Sequence, residues 1–575
     1  MKTKTLLALA ASLLAPLASI YAVEVQDLRC EVHINPLTID VAKPGLSWKL
    51  QVSGLKSQPS KERGIKQSAY QILVASTPEN LVKDQGDLWD SGKVESAQSV
   101  HVGYSGKPLA SGMLCHWKVK AWTTDGEEKA TEWSAPAFWR MGALQAADRP
   151  FNETPAQRDA RMAWWREARF GMFIHFGVYA IPGRGEWVQW TEQIPVDEYA
   201  KLADKFTPTN FNADAWAETA KAAGMKYTVL TSRHHDGFAL FDDPTSDFTS
   251  VKTAAHRDFV AEYVKAVRKV GLHVGLYYSP LDWRFPGFFF PDLQRKSAEA
   301  MREQYHRQVE QLLSNYGQID VLWFDGGETD WLNFSGDWRV GHWKQRPKEQ
   351  HYKGGFSYQH DQVYTMLRRL QPQVIINGRA DMAEDFHSRE GDNALGDFDN
   401  EHPWELCTTL AGAWGYEPNK APKSLKDCIQ LLAKVAGRDG NLLLNVGPRP
   451  DGQIDPPQVQ RLLEVGEWLG KCGESIYSTR GGPFLPGDYG ASTHRDKTIY
   501  IHVLKWPGDK LVLPAIPAKI IGASVLAGGA ARFTQTHEGI EVSVQPADRS
   551  DVDTVIRLEL DQSADGIKPV AVNAQ

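Results

Sequence analysis

From Gly171 to Val446 the chain repeats one pattern: a short, mostly apolar run that ends on polar residues, followed by a window of helical periodicity. The runs are Gly171-Met-Phe-Ile-His-Phe-Gly177, Tyr227-Thr-Val-Leu-Thr-Ser232, Val274-Gly-Leu-Tyr-Tyr-Ser279, Asp320-Val-Leu-Trp-Phe-Asp325, Val374-Ile-Ile-Asn377 and Asn441-Leu-Leu-Leu-Asn-Val446. The helical windows are 213–223, 257–270, 297–316, 359–370 and 424–435; in the last, Leu425, Cys428, Leu432 and Val435 share one face. Strands with little alternation are buried on both sides, as in parallel sheets covered by helices. Serial β-α units of this kind close into a barrel. Six strands are evident rather than eight, which predicts a distorted β/α (TIM-like) barrel.

On either side of this region the hydrophobic period falls to two. Ala69-Tyr-Gln-Ile-Leu-Val-Ala75, Ser99-Val-His-Val-Gly103 and His116-Trp-Lys-Val-Lys-Ala-Trp122 read as half-buried strands, with Trp117, Val119 and Ala121 on the core face and Lys118 and Lys120 on the wet one. Thr498-Ile-Tyr-Ile-His-Val503, Lys510-Leu-Val-Leu513, Gly539-Ile-Glu-Val-Ser-Val544 and Thr554-Val-Ile-Arg-Leu-Glu-Leu560 repeat that reading near the C-terminus. Both ends therefore predict β-sandwiches. At the start, Lys2 and Lys4, the apolar stretch Leu6 to Leu17 and the small Ala22 form a signal-peptide pattern, which predicts export to the periplasm or outside the cell. No later run is apolar for long enough to predict a membrane span. The expected order is a signal peptide over 1–22, a β-sandwich over 23–144, a linker over 145–159 containing Pro150 and Pro155, the barrel over 160–484 and a second β-sandwich over 485–575.

Composition excludes several classes of function. Lys and Arg total 64 against 71 Asp and Glu, so the net charge of -7 offers no positive field for a nucleic-acid backbone. Five cysteines in 575 residues do not make a disulfide scaffold, and none forms a CxxC pair. Cys30 and Cys115 both lie in the N-terminal segment, where an oxidising compartment would allow them to bridge.

In a β/α barrel the chemistry gathers where the strands end. The polar residues there are His175, His234 with His235 and Asp236, Tyr277 with Tyr278, Asp325 and Asn377. Asp325 closes a buried strand and precedes Gly326-Gly327, so its carboxylate faces an open mouth with partners or else caps the turn that follows. The paired imidazoles have two readings, a metal site or a set of hydrogen bonds to a polar ligand. Successive strand residues point to opposite faces and neither HxH nor HExxH occurs, so no metal and no cofactor is expected.

The phrases Arg169-Phe-Gly-Met-Phe-Ile-His-Phe-Gly177, Gly185-Glu-Trp187, Leu230-Thr-Ser-Arg-His-His-Asp-Gly-Phe238, Gly275-Leu-Tyr-Tyr-Ser279, Leu322-Trp-Phe-Asp-Gly326, Trp404-Glu-Leu-Cys407, Trp414-Gly-Tyr416 and Asn441-Leu-Leu-Leu-Asn-Val-Gly-Pro448 follow one another in this order. In that order they resemble the α-L-fucosidases of glycoside hydrolase family 29, over about residues 155 to 480. Upstream, Gln67-Ser-Ala-Tyr-Gln-Ile-Leu-Val-Ala75, Gly86-Asp-Leu-Trp-Asp-Ser-Gly92 and Glu132-Trp-Ser134 resemble the fibronectin-type-III-like module that precedes bacterial rhamnosidases. That second resemblance implies an accessory domain.

The fucosidase resemblance implies retaining hydrolysis of terminal α-L-fucosides in a fucosylated glycan, with two carboxylates acting by double displacement. It makes Asp325 the nucleophile. It places His175, Glu186, His234, His235, Tyr277 or Tyr278, Trp323 and Arg379 around the sugar. The acid/base is Glu405 in the Trp-Glu phrase, then Glu401, with Glu390 a further candidate. The phrase Gly396-Asp-Phe-Asp-Asn-Glu401 lacks the Thr and Pro usual in the family, and Phe176 stands where relatives commonly carry Trp. Competing readings are a glycosidase for a related sugar such as L-galactose, a non-catalytic carbohydrate-binding barrel and a metal-dependent hydrolase.

Overall fold

A computed structural model describes residues 22–31, 36, 39, 41–53, 65–110, 113–124, 128–141, 153–291, 293–327 and 356–572. The expected signal peptide, up to residue 21, and most of the first part of the expected linker lie outside these residues. The chain forms two compact units, residues 1–152 and 153–575.

The first unit is a sandwich of two antiparallel sheets. One contains Ala22–Cys30, Gly45–Ser53 and Val102–Gly103; the other contains Trp89–Asp90, Lys66–Ala75, Leu114–Thr124 and Glu128–Ala130, with Ala137–Arg140 also paired to Leu114–Thr124. Trp117 and Val119 pair with Val74 and Ile72 across the second sheet and meet Trp48 and Leu46 from the first in one core. Lys118, expected on the wet face, is instead buried: Trp133 covers its ammonium, which bonds Asp84. Cys30 and Cys115 are both buried, free thiols.

The second unit opens on helix α1 (Pro155–Ala168), begun by a capping box between Thr154 and Gln157. The latter part of the expected linker is therefore helical, since Pro155 occupies the first turn, where a missing N–H costs nothing. Eight parallel strands follow: β1 (Phe170–Ile174), β2 (Tyr227–Arg233), β3 (His273–Tyr278), β4 (Val321–Phe324), β5 (Ile375–Ile376), β6 (His387–Glu390), β7 (Trp404–Thr409) and β8 (Asn441–Val446). Their order is β5-β4-β3-β2-β1-β8-β7-β6, and the two edges meet at a parallel bridge between Asn377 and Phe386.

Helices α2 (Ala213–Ala222), α3 (Phe259–Lys269), α4 (Arg295–Asn315) and α5 (His360–Leu370) follow β1 to β4, and α6 (Leu425–Ala436) and α7 (Pro456–Cys472) follow β7 and β8. The connections on either side of β6 carry no α-helix. That is why only six strands were evident: β6, His-Ser-Arg-Glu, is polar, and no helical window separates it from β5 or from β7. At this seam a buried carboxylate does the joining. Asp385 binds Arg161 of α1 at 2.6 Å and Arg368 of α5 at 2.8 Å, and accepts from the Ile376 N–H at 2.9 Å.

Inside the barrel Phe173, Tyr227, Val229, Tyr277, Val321, Trp323, Ile375, Cys407 and Leu443 pack with Met162 and Trp165 of α1. Helix α1 thus plugs the end opposite the strand C-termini. Gly171 in β1 makes room for this filling, because a Cβ there would lie 2.6 Å from the Tyr227 ring.

The unit ends in a C-terminal sandwich. Five strands (Arg480–Gly481, Gly490–Arg495, Thr498–Val503, Thr554–Leu560, Ile520–Val525) face three (Leu511–Pro514, Gly539–Val544, Ala531–Gln535) over a core including Ile501, Leu513 and Ile556. Among the described residues no helix is long and apolar enough to cross a membrane.

Asp439, between α6 and β8, fastens this sandwich to the barrel. Its buried carboxylate binds Arg169, just before β1, at 2.5 Å, as well as the Arg480 guanidinium, and accepts from the Gly481 N–H at 2.9 Å. Burial acts to raise its pKa, but the two arginines outweigh it and hold the carboxyl below the usual range. Asp439→Ala takes the bound carboxylate from two arginines and is expected to cost about 3–5 kcal/mol, read as a fall in the urea midpoint. An unchanged midpoint counts against the clasp.

Candidate functional site

The strand C-termini surround a pocket that opens to solvent. Most of the strands, or the residues just after them, supply part of its wall. His175 follows β1, His234 and His235 follow β2, Tyr277 lies in β3, Trp323 in β4 with Asp325 just after it, Arg379 follows β5, Glu390 ends β6, Cys407 lies in β7 and Trp414 follows it. Glu186 and Trp187, from the long connection after β1, complete the rim.

Asp325 is the centre of the charge arrangement. The Tyr277 hydroxyl donates to its Oδ2 at 2.8 Å, Arg379 donates to its Oδ1 at 3.1 Å, and His235 Nε2 stands 3.5 Å away. Burial alone would raise this carboxyl, yet His235, Arg379 and Tyr277 together hold it below the usual range, so it is ionised. Gly326 follows with φ +128, a conformation that side chains resist. A side chain there would also strike Leu281, 2.7 Å from the position of a Cβ. The turn thus releases the carboxylate from the strand at the pocket mouth.

Three histidines surround it, all neutral. Burial drives His175 down to about 3 and His235 to about 4, and lowers His234 well below its usual value. His175 Nδ1 bonds Asn445 Oδ1 at 2.7 Å, and the Asn445 amide donates to the Trp414 carbonyl at 2.8 Å. That chain orients the amide, makes Nδ1 the donor and leaves Nε2 as an acceptor. His235 Nδ1 pairs with Ser279 Oγ at 2.6 Å. His234 stacks on Tyr277 with 5° between the rings, and its buried Nδ1 has no hydrogen-bond partner among the described residues. An orphaned buried nitrogen at a pocket wall is a group awaiting a ligand.

The carboxylates divide by environment. Burial raises Glu186, whose Oε2 accepts from the Gly415 N–H at 2.8 Å. Glu390 lies at the mouth, with its side chain 43% exposed and its Oε2 2.5 Å from Arg379 Nη2. One guanidinium therefore carries Asp325 and Glu390 on two of its nitrogens, while its plane lies 5.1 Å from the Trp323 ring.

Two of the three glutamates named from the sequence as acid/base candidates are elsewhere. Glu401 is exposed on the turn before β7, outside the pocket wall. Glu405 is fully buried in the barrel interior, bonded to the Trp323 indole at 3.0 Å and to the Tyr227 hydroxyl. Register gives the reason. Glu390 pairs with Cys407, which lines the pocket, whereas Glu405 pairs with Ser388, two residues deeper, about 7 Å along the strand. The Trp-Glu phrase is the inside of a strand, not its open end. Asp325, His175, Glu186, His234, His235, Tyr277, Trp323 and Arg379 do converge. Tyr278, the alternative to Tyr277, faces outward and bonds Gln308 of α4 at 2.8 Å. The sequence reading passed over Trp187, Trp414 and Asn445, although each lies within a phrase that it singled out.

The argument from opposed neighbours also fails for the histidine pair. Strand β2 ends at Arg233, so His234 and His235 sit in a turn and their rings lie 4.2 Å apart. With Asp325 their ligand atoms fall within 4.8 Å of one another. The set does not suit a cation, because Asp325 already binds the Arg379 guanidinium, beside which a divalent ion would be repelled. Neutral donors and acceptors around one anion, walled by indoles, suit a ligand with several hydroxyls and an apolar face.

Comparison with known proteins agrees with this chemistry. Residues 137–474 match the α-L-fucosidase family and residues 25–145 the Rha78A-like N-terminal immunoglobulin domain. Tissue α-L-fucosidase of Mus musculus is 30% identical over 409 residues, 64% of this chain and 84% of that protein. Plasma α-L-fucosidase of Pongo abelii is 30% identical over 416 residues, 65% of this chain and 83% of that protein. Among solved structures, α-L-fucosidase isoenzyme 1 from Paenibacillus thiaminolyticus is 35% identical with a TM-score of 0.61, covering 70% of this chain and 100% of its own. A family 29 α-L-fucosidase of Bacteroides thetaiotaomicron, solved as a covalent intermediate trapped with 2-fluoro-fucosyl fluoride in a Glu-to-Gln variant, is 26% identical with a TM-score of 0.61, covering 70% of this chain and 96% of its own. A barrel whose strand ends converge on Asp325, in a chain more than half spanned by the family match, makes this protein a member of the family 29 α-L-fucosidases, glycoside hydrolases, joined to a Rha78A-like immunoglobulin domain.

Proposed function

We propose that the protein is an exported exo-glycosidase that removes terminal α-L-fucose from glycans with retention of configuration. The observation that carries this reading is the single guanidinium shared by an ionised Asp325 and a half-exposed Glu390. Retaining glycosidases need two carboxyl groups ~5 Å apart, one to attack and one to shuttle a proton. Asp325 is the attacking group: it is ionised, and Tyr277 and Arg379 fix both of its oxygens. Glu390 stands at the mouth, where the leaving sugar departs and water enters, so it donates the proton in the first step and accepts one from water in the second. To do so it must leave Arg379, take up a proton from solvent at the mouth and turn to the glycosidic oxygen.

The intermediate trapped in the Bacteroides relative supports the same two-step course here. His234 Nδ1, His175 Nε2 and the Glu186 carboxyl serve the sugar hydroxyls, while the indoles of Trp187, Trp323 and Trp414 pack its apolar face and methyl. The basic Lys2 and Lys4 before an apolar stretch support export to the periplasm or beyond.

Asp325→Ala is expected to lower kcat on an aryl α-L-fucoside by about 10³-fold or more, some 4 kcal/mol, and azide should partly restore turnover with formation of the β-fucosyl azide. Glu390→Ala should lose about 10²–10⁴-fold on poor leaving groups, far less on good ones, and yield the α-fucosyl azide. NMR of the first-formed sugar from wild type should show the α-anomer. Equal rates for Asp325→Ala, or a β-anomer from wild type, refutes the mechanism.

The acid side of the pH profile gives a second check. Asp325 works ionised, and Arg379 helps to hold its pKa down. In Arg379→Met that pKa rises, so the acid limb of kcat/KM should move to higher pH. A limb that stays in place argues against Asp325 as its source.

A further inference from the structure

Beneath the pocket lies a carboxyl that the two-step reaction does not use. Glu405 is enclosed inside the barrel, where its Oε1 accepts from the Trp323 indole N–H at 3.0 Å and its Oε2 from the Tyr227 hydroxyl. The groups that face it come from every side of the barrel: Tyr227 of β2, Trp323 of β4, Asn441 of β8, Cys407 farther along β7 and the Trp165 indole of the plug helix α1. None is a cation. Burial pushes the carboxyl up to about 7, against the lowering effect of its hydrogen bonds.

Such a group is costly to keep in a packed interior. What it holds is the edge of one ring. The upper surroundings of that ring belong to the active site: Arg379 lies over the Trp323 ring at 5.1 Å, and Tyr277 stacks on it at 5.7 Å with 16° between the planes. Arg379 grips Asp325 and Glu390, and Tyr277 donates to Asp325. A single indole therefore connects the buried carboxyl to the groups that place both reacting carboxylates.

We propose that Glu405 is a positioning residue, which anchors the indole edge of Trp323 from below and so sets where Arg379 and Tyr277 hold the catalytic pair. The inference rests on the roles given above to Asp325 and Glu390. Ionised Glu405 makes the indole N–H bond charge-assisted and enriches the ring face on which Arg379 rests; the neutral acid does both less well. Moving that ring by a fraction of an ångström displaces a guanidinium on which two carboxylates depend, and misplacement at this scale is enough to slow a reaction.

The link between Glu405 and Trp323 is read by ¹⁹F NMR of the full-length protein carrying 5-fluorotryptophan, with the Trp323 resonance assigned by its loss in Trp323→Phe. In substrate-free wild type that resonance should shift with pH about a midpoint near 7. In Glu405→Gln, with the other tryptophan resonances in place to show folding, it should no longer titrate. A Trp323 signal that is indifferent to pH in wild type, or that still titrates in Glu405→Gln, overturns the proposal. In kinetics, Glu405→Gln should lower kcat/KM by about ten- to a hundredfold, equally for good and poor leaving groups and without azide rescue, and Glu405→Leu should lose more. A loss that grows as the leaving group worsens, or rescue by azide, would make Glu405 the proton donor and sink the positioning role. The resonance needs no turnover, so it stands or falls apart from the assignment of Asp325: full activity in Asp325→Ala defeats the reaction scheme without touching the titration.

Discussion

Two carboxylates that must work on the same sugar repel each other, and a half-buried pocket screens that repulsion poorly. Arg379 resolves the conflict by lying between them, with one nitrogen on Asp325 and another on Glu390. A planar, permanently charged fork is suited to this in a way an ammonium is not. Its own burial is offset by the two carboxylates and by the Trp323 face. The unequal surroundings of its partners then separate their tasks, because Asp325 is enclosed and triply held whereas Glu390 is free on its solvent side.

The barrel supplies that arrangement through register. Strand β6 brings Glu390 level with Cys407, β4 brings Trp323 level with Tyr277, and the turn at Gly326 lifts Asp325 clear of its strand. The two connections without helices flank β6, the strand that presents Glu390. Where helices would otherwise cover the sheet, Asp385 and its two arginines join α1 and α5 to the seam. The site thus depends on electrostatic closure on one side of the barrel and on ordinary apolar packing elsewhere.

Much of this was legible in the chain itself. Six strands and five helices stand out in the sequence, and each forms where the pattern placed it, with ends shifted by up to three residues. Asp325 was visible because a carboxylate after Val-Leu-Trp-Phe has few reasons to exist. What escaped was depth. Nothing in Trp404-Glu-Leu-Cys407 says whether the glutamate lies at the rim or two residues below it; only the pairing of β7 with β6 decides that. The histidine pair misled for a related reason, since alternation governs a strand and β2 stops one residue too soon. Lys118 shows the same limit, an ammonium on a nominally wet face that an indole and an aspartate cover.

The clasp at Asp439 bears on how such a chain could have been assembled. Because one enclosed carboxylate answers arginines from the start of the barrel and from the first strand of the sandwich behind it, a recombination crossover between residues 440 and 479 would part Arg480 from its carboxylate while Arg169 stays with Asp439. A barrel and a sandwich joined in this way exchange less readily than parts whose boundary no buried ion crosses.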